Sequence, residues 1–251
     1  MDIETYTKTV AREVLQTVTL PLAKRLPIER HPGLLGRIHN VRVPNNTRPK
    51  PEPGPGGGAN VKIIFQLLES VLGIEGAVAE CGVWQGATVI PMGLFLRQHG
   101  SRKIILGFDS FEGLDDTVQI DVQLGGDDED RKMVGGFSNT SYDQLVNRIR
   151  QFGISDTVRL IKGYFNNTLM RHADEKYCFV HLDCVIYESY KSCIEYFYPR
   201  LVSGGIILFD EYGDPPWPGC ARAIDEYLAD KLEKLSQITS DNQTKYYLRK
   251  M

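Results

Sequence analysis

Short apolar runs alternate with stretches of helical periodicity through the chain after residue 60. Each run is rich in branched apolar residues and is bounded by glycine or acidic residues, as expected of a buried strand. The predicted strands are 77–81, 103–109, 158–162, 177–183 and 205–210, with further candidates at 235–239 and 246–249. The predicted helices are 61–72, 87–99, 141–152, 188–198 and 219–231. This alternation indicates an α/β fold, in which helices cover both faces of a parallel sheet.

The first sixty residues have a different pattern. Apolar residues recur at roughly helical spacing through residues 4–26, which predicts an amphipathic helix. Residues 44–60 contain five prolines and a glycine triplet, a composition that disfavours both helix and central strand. We therefore interpret 1–43 as a helical arm or lid, 44–60 as a linker and 61–251 as the main domain. An apolar arm on a flexible linker also predicts a homo-oligomer.

Composition narrows the classes of function. The 251 residues are 42% hydrophobic and carry a net charge of −3, so no basic field for nucleic acid or an anionic membrane is expected. No segment is long and apolar enough to predict a membrane span, and the acidic first residues are unlike a signal peptide. Both observations favour a cytoplasmic protein. The five cysteines form no Cys-x-x-Cys pair, which argues against a zinc site.

The stretch 77–86 reads as a strand, a glycine turn and the approach to a helix. Its pattern is Glu80-x-Gly82-x-x-x-Gly86, and Thr88 follows at the start of the next apolar stretch. Glycines let a backbone approach a ligand closely, and the amides of a helix N-terminus attract anionic groups. The spacing differs from the Gly-x-Gly-x-x-Gly of dinucleotide sites. It resembles the first motif of class I methyltransferases that use S-adenosylmethionine; a simple tight turn is the alternative.

Asp109 ends the second predicted strand and is followed by Ser110. A carboxylate at this place in a doubly wound sheet accepts hydrogen bonds from ribose hydroxyls. A cap for the following turn is the alternative. Together with the glycine turn, Asp109 favours an adenosine-binding site.

Three further acids follow neighbouring strands. Asp183 ends the fourth predicted strand, and Asp210 and Glu211 end the fifth. Carboxylates this close repel one another and raise each other's pKa. A Mg²⁺ ion, which prefers oxygen ligands, would offset this repulsion. We therefore predict a magnesium site, with Asp183 also the candidate general base; helix or turn caps and a solvated Glu211 are the alternative. His181 is interpreted as a core histidine.

These motifs together resemble the macrocin O-methyltransferase (TylF-type) family. The matching stretches are 79–88, 108–114, 161–169, 181–189 and 204–213. The resemblance implies a class I methyltransferase sheet, doubly wound and mostly parallel with an antiparallel C-terminal strand. It also implies S-adenosylmethionine and Mg²⁺ as cofactors, and methyl transfer to a sugar hydroxyl of a glycosylated small molecule in antibiotic-type metabolism.

The resemblance assigns roles to individual residues. Cofactor binding falls on Glu80, Gly82, Gly86 and Asp109, and metal binding on Asp183, Asp210 and Glu211. The predicted cofactor-binding residues are Glu80, Cys81, Gly82, Trp84, Gly86, Thr88, Asp109, Ser110, Gly163, Phe165 and Asp183.

The sequence departs from the family pattern at three positions. Val185 stands where the family commonly has Asp, and Glu211 stands in place of the second Asp of an Asp-Asp pair. Met170 replaces a common proline. Because Glu is one methylene longer than Asp, the first two departures bear on metal affinity.

Alternatives remain open at this point. The acceptor is a sugar hydroxyl or, alternatively, a phenol or catechol, and its choice is assigned to the first sixty residues and to 115–140. A nicotinamide oxidoreductase is another alternative, but the sequence lacks the Gly-x-Gly-x-x-Gly motif of that class. A non-catalytic binding module is supported only by the departures at Val185 and Glu211. Trp84 and Trp217 either line the site or pack in the core. Residues 115–131 are predicted to be irregular, and the acidic run 127–130 is interpreted as solvated.

Overall fold

The computed structural model describes residues 57–125 and 133–251. The predicted helix 4–26, most of the predicted linker and the acidic run 127–130 lie outside these residues. The strands are β1 Ala77–Cys81, β2 Ile105–Asp109, β3 Val158–Lys162, β4 Tyr177–Leu182, β5 Leu201–Phe209, β6 Ser236–Ser240 and β7 Gln243–Arg249. The helices are α1 Gly57–Glu69, α2 Val89–Gln98, α3 Gln119–Leu124, α4 Tyr142–Gln151, α5 Phe165–Thr168, α6 Tyr187–Phe197 and α7 Pro218–Leu228.

The seven strands form one sheet in the order β3-β2-β1-β4-β5-β7-β6. The first five are parallel, and β7 pairs antiparallel with both β5 and β6. This confirms the predicted fold class, including the antiparallel C-terminal strand. The chain moves outward from β1 to β3 and then crosses to β4 on the other side of β1. In such sheets the ligand site lies at the carboxyl ends of the strands where the order reverses, here between β1 and β4.

Helices on both faces bury two apolar cores. On one face α1, α2 and α4 cover strand residues such as Val78 and Phe179. On the other face α6 and α7 cover the alternate residues, such as Ala79 and Val180. Buried parallel strands need apolar side chains on both faces, which explains why their sequences are continuous apolar runs.

Several elements differ from the predictions. Helix α1 begins at Gly57, so the last residues of the predicted linker are helical, although glycine is a poor helix former. Strand β5 begins at Leu201 rather than at residue 205, with an irregular register and a left-handed backbone at Gly204 (φ 77°). Helix α3 lies in the stretch that was predicted to be irregular, and α5 is a single turn without a clear pattern.

The C-terminal hairpin holds α1 in place. Lys62 forms an ion pair with Asp241 (2.6 Å), and Arg249 donates to the hydroxyl of Ser70 (2.9 Å). Because β7 also pairs with β5, the hairpin links α1 to the centre of the sheet. None of the helices in the described part of the chain combines the length and apolar character needed to cross a membrane.

Truncation of Phe179 tests the buried role of β4. The side chain is fully buried, so Phe179→Ala is expected to lower the free energy of unfolding by about 3–5 kcal/mol through lost transfer energy and the cavity left behind. Urea denaturation measures this loss. Leu232→Ala is the control, because Leu232 is 81% exposed and its truncation is expected to change stability by less than about 0.5 kcal/mol. Equal losses in the two variants would contradict the packing described above.

Candidate active site

A cleft opens at the carboxyl edge of the sheet, between the loops that follow β1, β2, β3 and β4. It is the place that the strand order predicts for a ligand. Six of the predicted cofactor-binding residues line it. These are Gly82, Trp84, Asp109, Ser110, Phe165 and Asp183.

The glycine turn after β1 touches the loop after β4. Gly82 has a φ of 90°, and a Cβ on it would lie 1.7 Å from the carbonyl oxygen of Asp183. A side chain at this position is therefore excluded both by backbone conformation and by space. The close approach of the two loops places the glycine turn directly beside the predicted catalytic acid.

Asp109 binds backbone amides in two turns, the one after β1 and the one after β2. One carboxylate oxygen accepts from the amide of Trp84 (2.7 Å), and the other accepts from the amide of Phe111 (2.6 Å). Both donors have left-handed backbones, with φ of 45° and 55°. The turn-capping role is thus present in the structure. Since each carboxylate oxygen has two lone pairs, capacity for a ligand remains on the same side chain.

Five predicted cofactor-binding residues lie behind the residues that line the cleft. Glu80 and Thr88 are buried and hydrogen bonded to each other, and Cys81 is in the core. Gly86 and Gly163 have left-handed backbones that shape the turns, with φ of 81° and 136°. The described contacts of these five residues are with other parts of the protein.

The predicted metal ligands Asp183 and Asp210 come together as expected. The amide of Asp183 extends the β1–β4 ladder by one residue, and that of Asp210 extends the β4–β5 ladder (both 2.9 Å). Potential ligand atoms of Asp183, Asp210 and His181 lie within 4.8 Å of one another. Two neighbouring strands therefore deliver their terminal acids to one place, with a histidine that was interpreted as a core residue.

His181 bridges two acids. Its Nδ1 lies 2.9 Å from Oε1 of Glu80, and its Nε2 lies 3.4 Å from Oδ1 of Asp210. Burial disfavours the charged ring, but the hydrogen bonds to Asp210 and Glu80 raise the pKa of His181 to about 10. A doubly protonated ring donates from both nitrogens and has no lone pair for a metal. His181 is thus a partner of the acids in this arrangement.

Asp210 has three side-chain partners among the described residues. Lys245 of β7 forms an ion pair with its Oδ2 (2.9 Å), and Asn60 of α1 donates to its Oδ1 (2.7 Å). His181 is the third partner, at the same Oδ1. Burial alone would raise the pKa of Asp210, but Lys245 and His181 hold it below its usual range. Asp210 is therefore ionised over the whole physiological pH range.

Glu211 is turned toward Asp183 and Tyr190. It accepts a hydrogen bond from the hydroxyl of Tyr190, and its carboxyl is hydrogen bonded to that of Asp183. Burial and the charges of Asp183 and Asp210 raise the pKa of Glu211 well above its usual range. Burial also raises the pKa of Asp183 to about 6, with Asp210 adding to the effect. The raised pKa values and the hydrogen bond between the two carboxyl groups favour one proton on this pair.

The donor set fits a hard divalent cation. Four carboxyl groups lie close together at this edge of the sheet, those of Glu80, Asp183, Asp210 and Glu211. Among the described residues, two positively charged side chains pair with them, those of His181 and Lys245. Full ionisation of the acids leaves an excess of two negative charges, which one divalent ion balances. Carboxylate oxygens are the ligands that Mg²⁺ prefers. Glu211, the third predicted ligand, is hydrogen bonded to Asp183 but is not one of the three residues whose potential ligand atoms lie within 4.8 Å of one another.

Sequence reasoning missed three partners of the acids. Lys245 reaches Asp210 because β7 runs antiparallel to β5, with Tyr246 opposite Phe209. Asn60 lies 150 positions away from Asp210 in the chain. Tyr190 is a helix residue whose hydroxyl oxygen also lies 2.7 Å from the carbonyl oxygen of Leu182. No local motif marks any of the three, because each contact depends on the tertiary fold.

The outer part of the cleft is largely apolar. Leu114, Phe137 and Val185 line it and pack against a small core that contains Trp217. Trp217 is only 4% exposed, so it packs behind the cleft, whereas Trp84 lines the cleft. Val185 has a φ of 54°, an unusual backbone for a β-branched residue. Met170, the third departure, is 65% exposed.

Comparisons with known proteins agree with this geometry. The model of the Macrocin-O-methyltransferase (TylF) family matches residues 57–250. Demethyldecarbamoylnovobiocin O-methyltransferase of Streptomyces niveus is 32% identical over 196 residues, which are 74% of this chain and 71% of that protein.

Two further comparisons point the same way. The 8-demethyl-8-(2,3-dimethoxy-alpha-L-rhamnosyl)-tetracenomycin-C 4'-O-methyltransferase of Streptomyces olivaceus is 31% identical over 171 residues, 64% of this chain and 61% of that protein. The solved structure of the O-methyltransferase NovP has a TM-score of 0.63 at 30% identity, covering 76% of this chain and 80% of that one.

Two glycine variants test the close approach at Gly82. Gly100 also has a left-handed backbone (φ 63°), but a Cβ there would meet nothing within 4 Å. Gly100→Ala is expected to cost only the conformational strain, about 1–2 kcal/mol. Gly82→Ala adds a clash with the backbone of Asp183 and is expected to cost clearly more. Urea denaturation compares the two, and equal costs would contradict the contact between the loops.

Proposed function

The chain belongs to the macrocin O-methyltransferase family and is an O-methyltransferase; from this premise we propose that it methylates a sugar hydroxyl of a glycosylated natural product. The methyl donor in this proposal is S-adenosylmethionine, and Mg²⁺ is the second cofactor. One observation carries the proposal: Asp183 belongs both to the cleft beside the glycine turn and to the buried acid cluster. Donor and acceptor sites thus meet at this residue.

The donor is assigned to the β1–β2 side of the cleft. Asp109 is fixed by two backbone amides, and we assign its remaining lone pairs to the ribose hydroxyls of the donor. Gly82 provides backbone that a ligand can approach without meeting a side chain. Trp84 and Phe165 line the same cleft and offer apolar surface to the adenosine or methionine parts. The fold is that of enzymes that use this donor, which supports the assignment.

The acceptor hydroxyl is assigned to the Asp183 end. Asp183, Asp210 and Glu211 are the residues that would hold Mg²⁺, and a bound cation lowers the pKa of a coordinated hydroxyl. Asp183 is the candidate group to receive the proton of the acceptor. Lys245 and His181 keep Asp210 ionised, so this acid remains available as a ligand. Binding in the cleft holds the hydroxyl close to the methyl group, which supplies much of the rate enhancement.

The names of the relatives support the acceptor class. One names novobiocin and another names a rhamnosyl tetracenomycin, so both act in the chemistry of complex natural products. We place the sugar near Asp183 and the apolar remainder of the molecule against Leu114, Phe137 and Val185. The same apolar lining favours one alternative, an O-methyltransferase with a phenolic or catechol acceptor, because an aryl ring would also pack there.

Other parts of the proposal concern the whole protein. We propose a cytoplasmic homo-oligomer that binds neither nucleic acid nor membrane. The five cysteines are free and buried thiols, which suits a reducing compartment. Residues 1–43 are retained as an arm or lid, and the methyltransferase domain is proposed to start at Gly57, where α1 begins.

Metal removal tests the role of the acid cluster. Excess chelator is expected to abolish methyl transfer, and added Mg²⁺ to restore it. Asp210→Asn is expected to lower kcat at least about a hundredfold because the amide is a much weaker ligand, while S-adenosylmethionine still binds in calorimetry. Asp230→Asn is the control, since Asp230 is at the surface with 79% of its side chain exposed. Full turnover in excess chelator would reject the metal role.

Paired acceptors test the substrate class. A glycosylated aglycone, the same aglycone without its sugar, and a simple catechol are assayed side by side for transfer of a labelled methyl group. The sugar-acceptor proposal predicts labelling of the sugar in the first compound only. Labelling of the catechol, or of the aglycone without its sugar, would favour the phenolic alternative.

A further inference from the structure

We propose that Asn60 is a positioning residue of the metal site, which fixes the carboxylate of Asp210 from helix α1. The inference rests on the proposed function, since it assigns a role toward the Mg²⁺ assigned there. Asn60 belongs to none of the sequence motifs and does not line the cleft. Its contacts with Asp210 and the rest of the fold indicate its role.

The contact between the two side chains has a definite direction. Nδ2 of Asn60 lies 2.7 Å from Oδ1 of Asp210, in a partly buried setting. An ionised carboxylate only accepts hydrogen bonds, so the amide presents its N–H and not its oxygen. Hydrogen bonds to charged groups are stronger than neutral ones. Asn60 thus restricts the rotation of the Asp210 carboxylate.

Helix α1 delivers Asn60 rigidly. Residues Ile63 and Ile64 are fully buried in the core that also contains strand residues. The ion pair of Lys62 with Asp241 and the bond between Ser70 and Arg249 fix the helix against the C-terminal hairpin. A side chain in the first turn of a helix held in this way has little freedom to leave its partner.

Asn60 differs in charge from the other partners of Asp210. Lys245 and His181 are cations and offset the negative charge that a metal would use. The neutral amide of Asn60 orients the carboxylate without offsetting that charge. Partners of this kind around metal ligands tune metal affinity, and their loss commonly weakens binding about 10–100-fold.

The amide oxygen of Asn60 is a second observation in favour of a role at the predicted metal site. It is shielded from solvent and has no hydrogen-bond partner among the described residues. A buried acceptor of this kind is unfavourable unless a water or a ligand hydroxyl donates to it. The Asn60 amide therefore binds Asp210 through its N–H, and its buried oxygen remains available to a water or a ligand hydroxyl.

Calorimetric titration with Mg²⁺ tests the proposal on the full chain saturated with S-adenosylhomocysteine. Asn60→Leu keeps the side-chain size and removes the donor, so the Kd for Mg²⁺ is expected to rise about tenfold. The affinity for S-adenosylhomocysteine is expected to stay unchanged. Gln66→Leu is the matched control, because Gln66 is an exposed amide on the same helix. Asn60→Gln, which keeps an amide, is expected to restore part of the Mg²⁺ affinity.

The possible outcomes separate the inference from the proposed function. No binding of Mg²⁺ to the unmodified protein would overturn the metal role itself. Binding to the unmodified protein with the same Kd in Asn60→Leu would overturn only the role of Asn60. If Asn60→Leu does not fold, as judged by circular dichroism, Asn60→Ala is titrated in its place, and the same comparison decides.

Discussion

The buried imidazole of His181, held between two carboxylates, is the interaction on which the site depends. It links Glu80 at the end of β1 to Asp210 just after β5, across the middle strand β4. Burial alone would raise the pKa of Asp210, and the hydrogen bond from His181 opposes that effect. His181 and Lys245 together keep Asp210 charged, whereas Asp183 and Glu211 have raised pKa values. One part of the cluster is thus permanently ionised, and the other part exchanges a proton.

The same region is also constrained by backbone packing. The loop after β1 lies against the loop after β4 so closely that only glycine fits at position 82. Asp109 then holds the following turn through the amide of Trp84. Two requirements therefore act on one short stretch of sequence: it must pass beside Asp183, and it must leave its backbone open to a ligand. This explains why its glycines are placed as they are.

Much of this arrangement could be predicted from local sequence. Strand β3 was predicted with its observed bounds, and the strands that end in Asp109, Asp183 and Asp210 were predicted within a few residues, because buried parallel strands are continuous apolar runs. The meeting of Asp183 with Asp210 followed from the rule that parallel strands share one carboxyl edge. The partners Asn60, Lys245 and Tyr190 could not be predicted. Their positions depend on how α1, β7 and α6 pack, and no local pattern encodes that packing.

The left-handed backbone at Val185 bears on which side chains the loop after β4 can carry. A left-handed conformation costs an ordinary L-residue about 1–2 kcal/mol, whereas aspartate and asparagine adopt it more readily. The position is also the one where the family pattern commonly has aspartate. The loop of this chain therefore has a backbone that aspartate would adopt with less strain than valine does. A single substitution of Val185 by aspartate would add a carboxylate here without a change of backbone conformation.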